Sequence, residues 1–167
     1  TDCKHLTVPF LDEGIPLASV SEVQSFNLDL SQAKRTSEDF YRVLIEGDRQ
    51  PRTGDVIYCR NTSVGAAAYV PNDEPLAMGQ DVCLIRSANQ SGRYLVYQLQ
   101  SGSMTEQLNT ILIGATFKRI NVADIKALAM VCPPKNEQDA IVDFLDAEGV
   151  RFDRLQSAYT RQLELLT

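Results

Sequence analysis

The stretch Pro133-Pro134-Lys135-Asn136-Glu137-Gln138 divides the chain into two parts of different character. Before it, short apolar runs are broken by glycine, proline and asparagine, whereas the sequence after it follows one helical pattern. Consecutive prolines lack N–H donors and push the preceding residue to extended geometry, so they end whatever element precedes them. Asn136 is a candidate N-cap, and Glu137 places negative charge near the positive end of the following helix. The stretch therefore predicts a globular segment over residues 1–133 and a helix within residues 134–167.

The segment after the prolines carries a heptad pattern. Its two apolar seams consist of Leu145, Phe152, Tyr159 and Leu166, and of Ile141 and Leu155. Glu148 and Gln162 fall on the second seam, and Gly149 costs about 1 kcal/mol in a helix interior, so the coiled-coil pattern is imperfect. A helix from about Gln138 to Leu166 would be roughly 40 Å long, more than a small domain can cover. We therefore expect a partner helix; the alternative is an amphipathic terminal helix folded back on its own domain.

The segment before the prolines predicts a mixture of strands and short helices. Turn residues between Pro51 and Asp55, and a polar loop over residues 60–65, favour a hairpin. Thr36 to Asp39 can cap a helical turn, and Asn121 can cap a helix over residues 122–127. A further helix is expected at 101–112, while Tyr94 to Leu99 is ambiguous by period. Strands are expected at 15–20, 41–46, 56–59, 66–70, 82–86 and 128–132.

Composition and charge limit the functional class. Apolar residues make up 44% of the 167 residues, enough for a hydrophobic core. The net charge of -6 argues against a general nucleic-acid binder, so any DNA contact requires a local patch and the isolated chain should bind weakly. No apolar run reaches the roughly 18 residues of a membrane span, and no signal peptide is evident. The cysteines that lie in apolar runs favour buried thiols in a reduced cytoplasmic protein. Because the sequence starts at Thr1 and stops within helical sequence, we expect a fragment.

The cysteines and the single histidine give little support to a metal site. Cys3, Cys59, Cys83 and Cys132 are widely spaced and contain no Cys-x-x-Cys pair. With His5 as the sole histidine, a zinc site is disfavoured. The three later cysteines lie in apolar runs and are expected to be buried thiols. No bound metal or cofactor is predicted for this chain.

Four stretches resemble, in order, the specificity subunits of type I restriction-modification systems. The first is Asp2-Cys3-Lys4-His5-x-Thr7-x-Pro9, and the second is Gly54-Asp55-Val56-Ile57 followed by Ser63-x-Gly65. The third is Tyr94-Leu95-x-Tyr97-x-Leu99-x-Ser101, which resembles a helix of that family. The fourth runs from Gly114-Ala115-Thr116 through Ile120, Ile125 and Leu128 to Pro133-Pro134 and Glu137-Gln138. The order and spacing cover nearly the whole chain, although its acidic balance departs from expectation for DNA affinity.

The resemblance implies an α+β fold: a compact mixed sheet and helix target-recognition domain at 1–133, then a long coiled-coil-type helix at 134–167. Family members usually carry two such halves, each reading one half of a bipartite site in double-stranded DNA. Their helices pack together and dock methyltransferase subunits, which use S-adenosylmethionine, and restriction or motor subunits join for cleavage. The resemblance therefore implies a non-catalytic subunit whose partner, rather than itself, holds the cofactor.

Base reading requires hydrogen-bonding side chains on displayed segments, with arginine suited to guanine and asparagine suited to adenine. The polar loop after residue 59 offers such groups, and the matched opening motif and the basic pair before Ile120 offer more. For each, a solvated or structural role is the competing interpretation. The candidate DNA-binding residues are Lys4, His5, Arg60, Asn61, Thr62, Ser63, Lys118 and Arg119.

Two other functional classes compete with DNA recognition. A hydrolase needs a nucleophile and an activating base, and His5 would have to supply that base. The sequence contains no Gly-x-Ser-x-Gly motif and no phosphate-binding glycine-rich loop. The stronger alternative is a protein-interaction module that acts through the C-terminal helix without a DNA role, which the acidic composition favours.

Overall fold

The structure, a computed structural model, describes residues 1–112 and 119–164. These residues form eight short strands and five helices, with the first helix between the two groups of four strands and the other four helices after the last strand. The strands are β1 (Ile15–Ala18), β2 (Val23–Gln24), β3 (Asn27–Leu28), β4 (Arg35–Thr36), β5 (Val56–Cys59), β6 (Ala67–Tyr69), β7 (Ala77–Met78) and β8 (Val82–Ile85). The helices are α1 (Glu38–Leu44), α2 (Gly92–Leu99), α3 (Gly102–Leu112), α4 (Val122–Ala127) and α5 (Lys135–Glu164). This arrangement confirms the predicted α+β class with a long C-terminal helix.

The sheet β6-β5-β8 forms the centre of the core. β5 pairs antiparallel with both neighbours, and all four of its residues are buried. Because successive side chains point to opposite faces, Ile57 packs into one hydrophobic cluster while Tyr58 packs into another with α2 and α3. A strand that is buried on both faces has a continuous apolar sequence, and this pattern explains why a strand could be predicted at residues 56–59.

Two smaller β units surround the central sheet. β1 pairs antiparallel with β4 and parallel with β7, and this sheet packs beside α1 through Tyr41 and Leu44. β2 and β3 form a short antiparallel hairpin. Its residue Phe26 has a φ of 75°, donates its N–H to Ala67 O at 3.0 Å, and accepts from Tyr69 N at 3.3 Å. The hairpin is thereby fixed to the edge of the central sheet.

The Gly54-Asp55 motif joins the central sheet to the start of α2. The buried Asp55 carboxylate accepts two bonds from Arg86, at 2.9 Å from Nε and 2.7 Å from Nη2, and a third from Arg52 N at 2.8 Å. A Cβ at Gly92 would lie 2.1 Å from the carbonyl oxygen of Gly54. The motif therefore serves packing and an internal ion pair with Arg86.

The first half of α5 packs on the globular body, mainly against α2. Gln138 and Val142 are buried in this contact. One turn later, Tyr97 donates its hydroxyl to Asp146, which also pairs with Arg93. Residues 138–146 are thus joined to the body, and the division at residue 133 stays a prediction. Within the described residues, no helix combines the length and apolar character needed to cross a membrane.

The strand predicted at 41–46 is wrong, because residues 38–44 form α1. Ser37 is the N-cap and accepts Phe40 N at 3.5 Å, and acidic residues occupy the first turn. The buried residues Tyr41 and Leu44 are three positions apart, the spacing of one helix face. The helix cap predicted within residues 36–39 therefore determines the conformation of residues 41–44, although their side chains have high β propensity.

The closing strand predicted at 128–132 is also wrong, since these residues have no strand conformation and pair with none of the described strands. Side chains replace the ladder: Gln107 donates to Ala129 O at 3.0 Å and accepts Ala129 N at 2.9 Å. Tyr94 donates its hydroxyl to Val131 O at 2.9 Å. This edge position leaves Cys132 exposed, which contradicts its expected burial.

Other local predictions are confirmed. The hairpin of β5 and β6, the helix α4 with its Asn121 N-cap, and helices over 94–99 and 101–112 are all present. The N-cap predicted at Asn136 is wrong, because α5 begins at Lys135 and Pro134 O accepts the N–H groups of Glu137 and Gln138. The matched stretch Gly114-Ala115-Thr116 lies outside the described residues.

Candidate nucleic-acid interface

The loop of residues 61–65, which connects β5 to β6, has a fixed shape. Asn61 accepts Thr62 N through its side chain at 2.9 Å and Ser63 N through its backbone carbonyl at 2.7 Å. Thr62 has a φ of 58° and Gly65 a φ of 99°. Gly65 N also donates to Cys59 O at 3.3 Å, across the base of the loop. Thr62 and Ser63 are exposed at its tip, as expected for a displayed segment.

Three distant segments meet at the base of the 61–65 loop. Arg60 contributes its guanidinium to Asp2, with Nη1 to Oδ2 at 2.6 Å. Its backbone carbonyl accepts Ile120 N at 2.9 Å, and Asn61 forms an isolated antiparallel bridge with Arg119. The opening motif, this loop and the segment at 119–120 therefore form one continuous surface, which we call the convergence surface.

The expectation that Arg60 lies on a displayed loop is wrong. Its side chain is 4% exposed, because residue 60 follows β5 directly and still lies under the sheet edge. A buried guanidinium must be paired, and Asp2 supplies the charge. A sequence pattern cannot distinguish the last buried residue at the end of a strand from the first exposed residue of the loop that follows.

His5 lies on the convergence surface and is exposed. Its Nε2 is 3.4 Å from Asp2 Oδ2, the same oxygen that contacts Arg60. Partial burial would raise the pKa of Asp2, but the hydrogen bond and positive charge of Arg60, aided by His5, hold that pKa below its ordinary value. Asp2 is therefore a carboxylate whose charged form is stabilised by two candidate site residues.

The remaining predicted residues divide into three outcomes. Arg119 is exposed beside Asn61 and belongs to the convergence surface. Lys4 is directed toward α1, where its Nζ donates to Val43 O at 3.1 Å and pairs with Glu46. Its charge is therefore already neutralised by a carboxylate. Lys118 lies outside the described residues.

Asp2, Cys3 and His5 place potential metal-ligand atoms within 4.8 Å of one another. Burial first, and then the charge of Asp2, raise the pKa of the Cys3 thiol, which disfavours the thiolate that a metal requires. The Asp2 carboxylate already receives the Arg60 guanidinium, whose positive charge would oppose a cation. The chemistry of this group fits an ion pair better than a metal site.

The predicted helix-interface residues lie on one side of α5. Ile141 and Leu145 are half-buried beside the body, while Phe152 and Tyr159 are each 66% exposed and Leu155 is exposed as well. Leu166 lies outside the described residues. The exposed large apolar side chains of the α5 stripe are Phe144, Phe152, Leu155, Tyr159 and Leu163.

Sequence reasoning missed two features of this region. The first is Asp2, which belongs to the opening motif but was given no role. Its position three residues before His5 is a signal from which a role could have been predicted. The second is a cavity of about 550 Å³ next to the 61–65 loop, whose lining includes Lys4, Phe10, Glu22, Lys34 and Thr62. Lys34 Nζ lies 4.4 Å from the Phe10 ring centroid. These residues come from separate segments, so no local pattern could have predicted the cavity.

Comparisons with known proteins agree with this architecture. The chain is similar to the HsdS subunit from Thermoanaerobacter tengcongensis, with 23% identity, a TM-score of 0.62 and coverage of 91% of this chain and 40% of that one. It is also similar to a chain from a study of complex assembly and conformational transition of the type I R-M system. That match has 20% identity, a TM-score of 0.63 and coverage of 90% and 34%, respectively. The chain thus spans about a third to two fifths of the length of these structures, and the likeness concerns the fold.

No curated protein is matched by sequence. The family model of the type I restriction modification DNA specificity domain matches residues 32–164. That range includes β4 to β8 and all five helices. The chain therefore belongs to the family of type I restriction modification DNA specificity domains.

Proposed function

We propose that this chain reads one half of a bipartite site in double-stranded DNA as part of a type I restriction-modification specificity subunit. The observation that carries the proposal is the convergence surface, where His5, the 61–65 loop and Arg119 are brought together by contacts among distant segments. Asn61, Thr62 and Ser63 supply donors and acceptors suited to base edges, and Arg119 supplies a cationic side chain at an exposed position. Family membership supports DNA as the ligand.

The net charge of -6 is compatible with this proposal if the contacts are local. Phosphate contacts dominate DNA affinity, so a chain with few exposed cations near its loop should bind weakly alone. In the proposal, methyltransferase subunits contribute further phosphate contacts and carry S-adenosylmethionine, and restriction or motor subunits join for cleavage. This chain supplies no catalytic group.

The α5 stripe supports the second part of the proposal, that α5 pairs with the helix of another specificity half or copy. Large apolar side chains recur along the free half of the helix, where the described part of the chain provides no cover. Burying such side chains is worth about 1.5–3 kcal/mol each, which is ample to hold two helices together. The pairing would set the distance between the two DNA half-sites.

The test of the proposal is a genome-wide map of adenine methylation with the gene intact and deleted. Loss of methylation at one two-part motif is expected. Complementation with Arg119→Ala should weaken methylation, whereas Arg42→Ala, an exposed arginine on α1, should restore it fully. Unchanged methylation in the deletion strain, with expressed methyltransferase subunits, would contradict the proposal.

The α5 stripe also favours the competing function, a protein-interaction module with no DNA role. A truncation should begin after Gly149, because a cut at residue 138 would remove the buried side chains of Gln138 and Val142. Phe152→Ser combined with Tyr159→Ser tests the stripe without shortening the chain. If these changes abolish partner binding while Asn61→Ala and Arg119→Ala leave methylation unchanged, the interaction module is favoured instead.

A further inference from the structure

Arg60 and Asp2 form the buried ion pair at the base of the 61–65 loop. We infer that these two residues are positioning residues that set the orientation of this loop toward DNA, without touching the DNA themselves. The inference rests on the proposed function and deepens it by separating residues that read bases from residues that hold the reader in place. It assigns Arg60, the arginine that sequence alone suggests as a guanine contact, a different role.

Arg60 is connected in three directions. Its N–H donates to Asp81 O at 2.8 Å, just before β8, and its carbonyl accepts Ile120 N at 2.9 Å. Its guanidinium reaches Asp2 at 2.6 Å. A single residue therefore links the end of β5 to three other segments, and the next residue begins the loop.

Arg60 has almost no surface to offer DNA while the pair has this geometry. The Arg60 side chain is 4% exposed, and Asp2 carries the wrong charge for a phosphate. Arg60 Nε and Asp2 Oδ1 are also buried without hydrogen-bond partners within the described residues. The pair thus depends on one short contact, and loss of Asp2 leaves the buried Arg60 charge uncompensated.

The anchor for this pair is the central sheet. Asp2 forms an isolated antiparallel bridge with Cys83 of β8, and Leu84 N donates to the carbonyl of Thr1 at 2.8 Å. β8 is itself paired over four residues with β5. Asp2 is therefore held by the same sheet that ends in Arg60, so the pair fixes the loop base relative to a rigid element.

The loop can transmit this orientation because its own shape is fixed. Asn61 bonds the N–H groups of Thr62 and Ser63, and Ala66 N donates to Ser63 O at 3.0 Å. A loop with internal bonds of this kind reorients as a unit when its base shifts. Asp2 also contacts exposed His5, so the same carboxylate sets the relation between the loop and the opening motif.

The experiment measures DNA affinity of the complete specificity subunit assembled with its methyltransferase subunits. The variants are Asp2→Ala, Arg60→Met and their combination, at a temperature where circular dichroism shows each to be folded. Each single change should weaken binding to the cognate site by about tenfold or more, and the double change no further than the worse single, because the two residues act as one unit. The preference for the cognate over altered sites should fall across the half-site rather than at one base pair, and the salt dependence of affinity should stay as in the wild type.

The matched control is the exposed pair Glu38 and Arg42 on α1, whose side chains are 3.3 Å apart. Glu38→Ala and Arg42→Met remove the same charges from a different element, α1, and should leave affinity unchanged. If Arg60→Met does not fold, Asp2→Asn keeps the test available, since it removes only the charge of a half-buried residue. A several-fold weaker affinity for Asp2→Asn supports the inference, and wild-type affinity overturns it.

Two further outcomes overturn the inference. If Arg60→Met relaxes the choice at one base pair, or lowers the slope of log affinity against log salt by about one, Arg60 contacts DNA itself. If all folded variants bind like the wild type, the pair has a purely structural role. Failure of the proposed function is distinct, because the wild-type complex itself would then show no preference between cognate and altered sites.

Discussion

The side-chain carbonyl of Gln138 accepts the backbone N–H of Ser91 at 2.9 Å, across 47 positions of sequence. Its amide group donates to Pro133 O at 2.8 Å and to the side chain of Gln90. Ser91 is the N-cap of α2, where no side chain of its own satisfies the free N–H groups of the helix. The final residue of the Pro-Pro-x-x-Glu-Gln stretch therefore joins the beginning of α5 to the N-terminus of α2.

Gln138→Ala should lower the free energy of unfolding by about 2–4 kcal/mol, because it removes the hydrogen bonds of a fully buried side chain and leaves the part-buried Ser91 N–H and Pro133 carbonyl without this partner. Urea unfolding followed by circular dichroism measures the change. Gln156→Ala, at an exposed position of the same helix, is the control and should change stability by less than about 0.5 kcal/mol. Equal effects at the two positions would contradict the role of Gln138.

Gly92→Ala and Gly149→Ala should shift the melting temperature in opposite directions. A Cβ at Gly92 would lie 2.1 Å from Gly54 O, so α2 must move away from the sheet, which costs about 1–3 kcal/mol. No heavy atom lies within 4 Å of a Cβ at Gly149, and alanine in the interior of α5 should add about 0.5–1 kcal/mol. Thermal unfolding of the two variants checks the prediction, and shifts of the same sign would refute it.

Asp2→Asn should remove part of the acid sensitivity of the fold. The folded-state pKa of Asp2 lies below its ordinary value of 3.8, so its contribution to stability is present above that value and is lost as pH falls through the folded pKa. The difference in unfolding free energy between wild type and Asp2→Asn should be largest near neutral pH and shrink below about pH 4. Urea midpoints across this range measure it, and a difference independent of pH would count against the ion pair.

One cysteine should react rapidly with a thiol reagent in the folded chain. Burial, as the main cause, raises the pKa of Cys59 and of Cys83 to about 12, so almost no reactive thiolate is present at neutral pH. Cys3 is buried too, whereas Cys132 is exposed. We expect one fast equivalent that Cys132→Ser eliminates, and three more after denaturation. Fast labelling of Cys59 in the native chain would contradict the packing of β5.

Local signals were sufficient for much of the fold. The two prolines stop one region and start another, Asn121 and Asp124 form a capping box for α4, and the apolar run of β5 identifies the central strand. Each of these effects acts between residues a few positions apart. The errors at 41–46 and 128–132 arose where a cap or a distant side chain, Ser37 in one case and Gln107 in the other, overrode β propensity.

The candidate site was predicted in its segments but not in its roles. The sequence predicted three segments as candidates for DNA contact: the opening motif, the loop after β5 and the region of Arg119. These segments meet in the structure. The sequence could not predict that Arg60 is buried while Asn61 begins the displayed loop. The segments that cover Arg60, β8 and the N-terminal residues, are distant in sequence from both residues. The exposed part of the α5 stripe was predictable because helical periodicity is a local property.

By itself, the sequence determined the α+β class, the stop at Pro133-Pro134, the long helix and its apolar stripe, since these depend on backbone chemistry and periodicity over neighbouring residues. Tertiary structure alone decided that Gln138 meets Ser91, that Asp2 meets Arg60, and that Arg60 is buried while Arg119 is exposed. Those outcomes depend on which surfaces pack together across many positions of chain, and burial changes what a charged side chain can do.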